Sequence, residues 1–157
     1  MRSSFYRIGN FDESLAEVDL AIRLGSQNYS VYRHGTLVLV AKGDYTAALA
    51  NIDGAHPRMG GTPEDWMPVR AYVLGRMGRR DEALDMIREY ARLGATPVNL
   101  GLMYLGLGEN GKALDYWEKA AGPERADVTH AIPQYHARVL DSDRRFQALK
   151  VKLGMVE

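Results

Sequence analysis

A seven-residue motif opening on glycine recurs four times in this chain of 157 residues, and nothing else in the sequence restricts the fold as much. Gly9-Asn10-Phe11-Asp12-Glu13-Ser14-Leu15 returns as Gly43-Asp44-Tyr45-Thr46-Ala47-Ala48-Leu49. It returns again as Gly78-Arg79-Arg80-Asp81-Glu82-Ala83-Leu84 and as Gly108-Glu109-Asn110-Gly111-Lys112-Ala113-Leu114. Successive glycines are 34, 35 and 30 residues apart. Repetition with a period of about 20–50 residues marks architectures assembled from one small supersecondary unit. A single unit cannot bury its own apolar face, so it stacks against its copies.

The flanks keep the same register. Seven residues before the last three glycines stand Thr36, Ala71 and Gly101, all small; four residues before all four stand Phe5, Leu39, Leu74 and Tyr104, all large. Beyond each motif an apolar helical period follows. Ala21, Ala55 and Ala120 fall seven residues past Ser14, Ala48 and Ala113, while the third unit places Tyr90 there with Ala91 beside it. Two helices of about three turns joined at the glycine satisfy this pattern. Glycine takes the left-handed conformation that ends the first helix. The aromatic or polar residue two positions on opens the second, where Asp or Glu complements the helix dipole. Small residues at fixed places let paired helices approach, and large ones fill the gaps between pairs.

The same signals give a helix map. Helices are expected over Phe11–Leu24, over Tyr29–Ala41 with Asn28 as cap, and over Tyr45–Ala55, followed by a loop at His56–Gly61. Thr62 caps a helix with Pro63 at its first position that runs to Met77, and Arg80–Leu93 follows. Thr96-Pro97 repeats the cap-proline signal and opens a shorter helix to Leu105; Gly111–Ala121 is next, closed by Gly122-Pro123. A linker is expected at Glu124–Thr129, then helices at Ile132–Leu140 and Asp143–Leu153.

From about Phe5 to Ala121 these residues resemble the tetratricopeptide repeat, with its Gly-x-aromatic start and alanine at a fixed place in the second helix. The resemblance implies an all-α fold: an α-solenoid of stacked antiparallel helix pairs with C-terminal capping helices, in a single domain over 1–157. Its parts are a partial repeat 1–27, repeats 28–61 and 62–95, a short repeat 96–122 and capping helices 130–157. The proline that closes a typical repeat is missing after Leu24, and the short third interval implies a trimmed first helix in the fourth unit. Asp141-Ser142-Asp143-Arg144-Arg145-Phe146-Gln147-Ala148-Leu149, followed by Lys152-Leu153-Gly154, is similar to the ending of such domains in bacterial multidomain signalling proteins. There the repeats follow a cyclase, kinase or DNA-binding effector. Fifteen arginines against five lysines suit a GC-rich bacterial source.

In tetratricopeptide arrays the first helices of successive units line a concave groove. Carried onto this chain, the groove comprises Arg33, His34, Leu37, Val40 and Ala41, then Val69, Tyr72 and Arg76, then Val98, Asn99, Leu102 and Leu105. An apolar centre with basic and amide groups at its edge suits a helix or extended peptide with leucine or aromatic anchors, Arg33 and Arg76 receiving carboxylates. The same residues also read as core, or as packing beneath the C-terminal helices. Members of the family that clamp a peptide's C-terminal carboxylate use Lys, Asn and Arg on adjacent first helices. Leu37 and Val69 stand where amides would be needed, so that clamp is not expected.

Composition narrows the partner classes. Twenty basic and twenty acidic side chains cancel, leaving no bulk field to attract nucleic acid or an anionic membrane. With no cysteine there is no disulfide, thiolate nucleophile or cysteine zinc site. His34, His56, His130 and His136 form no i, i+4 pair, so neither a metal site nor a cofactor is expected. Gly60-Gly61 and Gly106-Leu107-Gly108 read as turn glycines, and Asp81 and Glu82 as solvated helix-start residues. Arg79, Arg80, Arg144 and Arg145 read as a solvated turn and helix start, and Trp66 and Trp117 as packing. No nucleophile–base constellation is visible.

The expectation is therefore a non-enzymatic scaffold for a protein or peptide partner, without nucleic acid or membrane insertion. No stretch approaches the ~20 apolar residues of a membrane helix, and Met1–Arg7 lacks the apolar run of a signal peptide; a cytoplasmic location is expected. Only about half of a first helix precedes Gly9. Either the first repeat is incomplete or the chain is cut from a longer protein, and a cut would expose an apolar face there. The alternatives are a homo-oligomeric self-association module and the regulatory domain of a larger signalling protein. The tail helices either cap the last repeat or fold into the groove.

Overall fold

The computed structural model describes residues 10–59, 62–122 and 139–155. The described residues form eight helices and no strand: α1 (Phe11–Arg23), α2 (Tyr29–Lys42), α3 (Tyr45–Met59), α4 (Pro63–Arg76), α5 (Arg80–Arg92), α6 (Pro97–Gly106), α7 (Asn110–Ala120) and α8 (Arg144–Lys152). The fold class is all-α. Phe5 and Gly9, the expected linker Glu124–Thr129 and most of the expected helix Ile132–Leu140 lie outside the described residues; Val139 and Leu140 form a short 3-10 turn.

The repeat glycines end helices as their register requires. Gly43, Gly78 and Gly108 have φ of +77°, +79° and +78°. At each, the glycine N–H donates three residues back, and the following N–H reaches five back: Asp44 to Leu39 and Arg79 to Leu74 at 2.9 Å, Glu109 to Tyr104 at 3.1 Å. These paired bonds satisfy the last carbonyls of the helix and reverse the chain at once. The large residue four before each glycine thus carries the carbonyl that accepts the reversing bond. The next helix starts two residues after each glycine, and Asp44 caps α3 by accepting from the Ala47 N–H at 3.1 Å.

One boundary differs from expectation. α3 runs on through His56-Pro57-Arg58 to Met59, across most of the stretch read as a loop. Proline forfeits one N–H bond to the preceding turn and crowds its carbonyl, which costs a helix ~3 kcal/mol. Ile52 and Ala55, in the turn before Pro57, are both buried.

The chain divides into two compact units, Met1–Trp66 and Met67–Glu157, with the boundary inside α4. In the first unit α1 packs on α2 and α2 on α3. Gly35 admits Val18 from α1: a Cβ at Gly35 would stand 3.0 Å from Val18 Cγ1. Thr36 is buried and donates its hydroxyl hydrogen to the Tyr32 carbonyl at 3.0 Å. Asn51 Nδ2 from α3 donates to that carbonyl at 2.9 Å and to Thr36 Oγ1 at 2.8 Å, so the buried polar groups are satisfied across the pair.

In the second unit α6 and α7 form the most extensive pair. Trp117 of α7 is fully buried, seated over Gly101, and its indole N–H donates to the Val98 carbonyl at 3.1 Å. α5 buries Ala83, Ile87 and Tyr90 on one face and leaves Asp85, Arg88, Glu89 and Arg92 in water. Tyr90 meets α6, accepting at its hydroxyl from Asn99 Nδ2 at 2.9 Å. α4 and α6 cross backbone to backbone: a Cβ at Gly75 would sit 2.6 Å from the Gly106 carbonyl, and one at Gly106 would sit 2.6 Å from the Tyr72 carbonyl oxygen. Gly106 is therefore the floor of a helix crossing, and not the turn glycine its sequence suggested. Gly108 alone makes the turn.

α8 docks on α7 by burying Phe146 and Leu149, with Leu153 just beyond its end. Asp143 caps it, accepting from the N–H groups of Arg145 at 2.8 Å and Phe146 at 3.1 Å. Arg145 departs from the solvated helix start expected of it. Its Nε and Nη2 fork onto Glu118 at 2.6 and 2.8 Å, Nη2 also pairs with Asp115, and Nη1 donates to the Gly111 carbonyl at 3.2 Å. Arg144 is exposed, as expected.

Candidate partner-binding site

The groove expected from sequence divides between core and surface. In the first unit Leu37 and Val40 are buried, His34 and Ala41 half-buried and Arg33 exposed. In the second, Val69, Tyr72, Val98, Leu102 and Leu105 are buried, while Arg76 and Asn99 are half-buried. The apolar members are thus structural first. Tyr72 is 2% exposed with its backbone against Gly106, so alanine at Tyr72 or Leu102 would open a cavity in the fold as well as alter a surface.

Two of the expected residues meet each other directly. Arg76 folds back over the ring of Tyr72, its guanidinium carbon 5.3 Å from the ring centroid, and its Nε donates to the Tyr72 hydroxyl at 3.3 Å. Its Nη2 is buried and has no hydrogen-bond partner. Asn99 is committed to holding α6 on α5 through Tyr90. His34 is half-buried; the side chain of His56 and all of His130 and His136 lie outside what the structure describes. Among the described residues no group of three or more His, Asp or Glu side chains could hold a metal ion, and no helix is long and apolar enough to cross a membrane.

Sequence reasoning passed over two further features. An open cleft of about 320 Å³ lies in the first unit, lined by Leu15, Val18 and Ile22 of α1 and Gly35 and Leu39 of α2, with Asp19 and Asn51 as its polar members. Leu20 and Leu24, which do not line it, are 51% and 79% exposed. The i, i+3, i+7 spacing of Leu15, Val18 and Ile22 was legible as a stripe, but not which part of it a neighbouring helix leaves open. In the second unit Tyr104 and Tyr116 stack at 5.7 Å between centroids, and Lys112 Nζ lies 4.8 Å from the Tyr104 ring.

The charged groups serve the helix ends. Arg79 forks onto Glu82 at 2.7 Å in both bonds, and this hydrogen bond holds the exposed Glu82 carboxyl below its usual range. Arg80 reaches Glu109 at 2.6 Å and so ties the start of α5 to the residue capping α7, a bridge that a solvated turn residue would not make. That bond lowers the Glu109 pKa, burial opposes it, and Lys112 at 3.4 Å assists. A carboxyl depressed in the folded state adds stability that is full above its ordinary value of 4.5 and is lost as pH falls through the folded value. Glu109→Gln is therefore expected to flatten the acid limb of the stability curve below that pH. Because Arg80 is half in water, the change near neutrality should stay under ~1 kcal/mol. Denaturant midpoints measured near neutrality and in acid test this; an unaltered difference between them would remove Glu109 as the titrating group.

Comparison with protein-family models, with curated proteins and with solved structures found no match for this chain.

Proposed function

We propose that this chain is a non-catalytic, tetratricopeptide-like helical-repeat scaffold that binds a segment of another polypeptide. The observation carrying the reading is the recurrence of one helix-reversing turn at Gly43, Gly78 and Gly108. Each is followed by a second helix with a fully buried alanine at the same place, Ala48, Ala83 and Ala113. Thr36, Ala71 and Gly101, the small residues seven before those glycines, are likewise all buried. A chain that repeats its packing unit presents repeated helix faces, the geometry that suits an extended or helical peptide better than a small molecule. Among the described residues, the shifts at Glu109 and Arg145 come from ion pairs between helices, and that at Glu82 from Arg79 at the start of its own helix.

Peptide-display selection against the full chain tests the reading. Enriched sequences should share spaced apolar anchors and bind with a negative heat-capacity change in calorimetry, the mark of apolar surface leaving water. Absence of any enriched peptide would sink it. A second reading, self-association, is favoured by the open cleft on α1 and α2 and by the separate exposure of Leu20 and Leu24. A light-scattering mass fixed at one chain across concentration would dismiss that reading.

A further inference from the structure

Arg23, Arg79, Arg80, Arg88, Arg92 and Arg145 each have a carboxylate within ion-pairing distance. Arg76 has none. Its guanidinium is laid against Tyr72, where a ring face and one long hydrogen bond are its contacts, and Nη2 is enclosed without an acceptor. A buried donor of a charged group left unpaired is unfavourable, because water has been removed and nothing replaces it. The 3.3 Å bond to Tyr72 lies at the weak end of the range and is readily surrendered. Arg76 is the last residue of α4, and its side chain is half-buried on a flexible stem. Such a fork can turn outward while its aliphatic portion stays packed.

On the reading that this chain binds a polypeptide, we propose that Arg76 is the docking point for a side-chain carboxylate of that partner, an Asp or Glu within an otherwise apolar segment. The guanidinium leaves the Tyr72 ring and forks onto the incoming carboxylate, gaining the acceptors that it lacks in the free protein. A chain-terminal carboxylate fits less well: enclosing a chain end takes several donors, and the amide of Asn99 is already engaged by Tyr90.

Fluorescence polarisation on the full chain, at low salt, decides this with three labelled peptides of alternating leucine and polar residues. The first carries glutamates and an amidated end, the second glutamines and an amidated end, the third glutamines and a free carboxyl end. The glutamate peptide should bind about tenfold or more tighter than either other peptide. Arg76→Gln should abolish that preference, Arg76→Lys should keep part of it, and Arg144→Gln, at an exposed position of α8, should leave it intact. Thermal melts establish that each variant folds. If all three peptides bind equally, or the preference survives Arg76→Gln, the Arg76 assignment falls while peptide binding stands. A preference for the free carboxyl end also overturns it. Binding by none of the three overturns the assignment together with the scaffold reading on which it rests.

Discussion

Gly106→Ala is expected to destabilise the second unit by ~2 kcal/mol or more, against the usual advantage of alanine over glycine in a helix. The added methyl would lie 2.6 Å from the Tyr72 carbonyl oxygen and closer still to its Cα. No rotamer change relieves a collision with backbone; α4 and α6 must move apart. The helix preference for alanine, ~0.8–1.0 kcal/mol, offsets only part of that strain. The contrast is Gly54→Ala in α3, where an added Cβ meets nothing within 4 Å. There the preference acts alone, and stability should rise by up to ~1 kcal/mol. Denaturant melts of the two variants should therefore shift in opposite directions. Equal shifts would mean that the crossing at Gly106 is not as tight as its geometry states.

The second large effect is expected at Trp117. It is fully buried, and truncation to alanine removes the biggest side chain of the core at a cost of about 3–5 kcal/mol. Trp117→Phe keeps most of the apolar surface but gives up the bond to the Val98 carbonyl, for ~1–2 kcal/mol. The pairing with Gly101 gives a sharper test. A Cβ at Gly101 would stand 2.5 Å from Trp117 Nε1 and 2.7 Å from Cδ1. Gly101→Ala should be destabilising in the native background and far less so once Trp117 is alanine, so the two changes should be strongly non-additive in a double-mutant cycle. Simple additivity would argue that the indole does not rest on Gly101.

The repeat made much of the helix map legible, because its signals are local. Gly43, Gly78 and Gly108 each end a helix, and Thr96-Pro97 opens one with the Thr96 hydroxyl accepting from Asn99. What the sequence hid is tertiary. Gly106 stands two residues from a true turn glycine, and nothing local separates a residue that permits reversal from one that permits a crossing. The groove residues were obscured for a related reason. α6 carries apolar side chains around most of its circumference, so periodicity does not say which of Val98, Leu102 and Leu105 face outward; all three are buried. α5, apolar on one side only, raised no such ambiguity. Arg145 looked like an ordinary helix start because its partners Asp115 and Glu118 lie about thirty positions earlier. The loop expected over His56–Gly61 is helical as far as Met59, although a proline inside a helix is unfavourable.

The glycine turns also set the order in which this polypeptide can acquire structure. Each reversal is completed by bonds spanning five residues or fewer, and α2 finds α3, and α6 finds α7, after a gap of only two or three residues. Partners so near in sequence close little chain entropy when they meet, which favours rapid formation. During synthesis each hairpin can therefore collapse as soon as its second helix clears the ribosome, without waiting for the carboxyl end. The Gly75–Gly106 crossing joins segments about thirty residues apart and must follow later. A nascent chain paused before α6 would expose the face of α4 that Gly106 comes to cover, so that interval is when a chaperone would have most to bind.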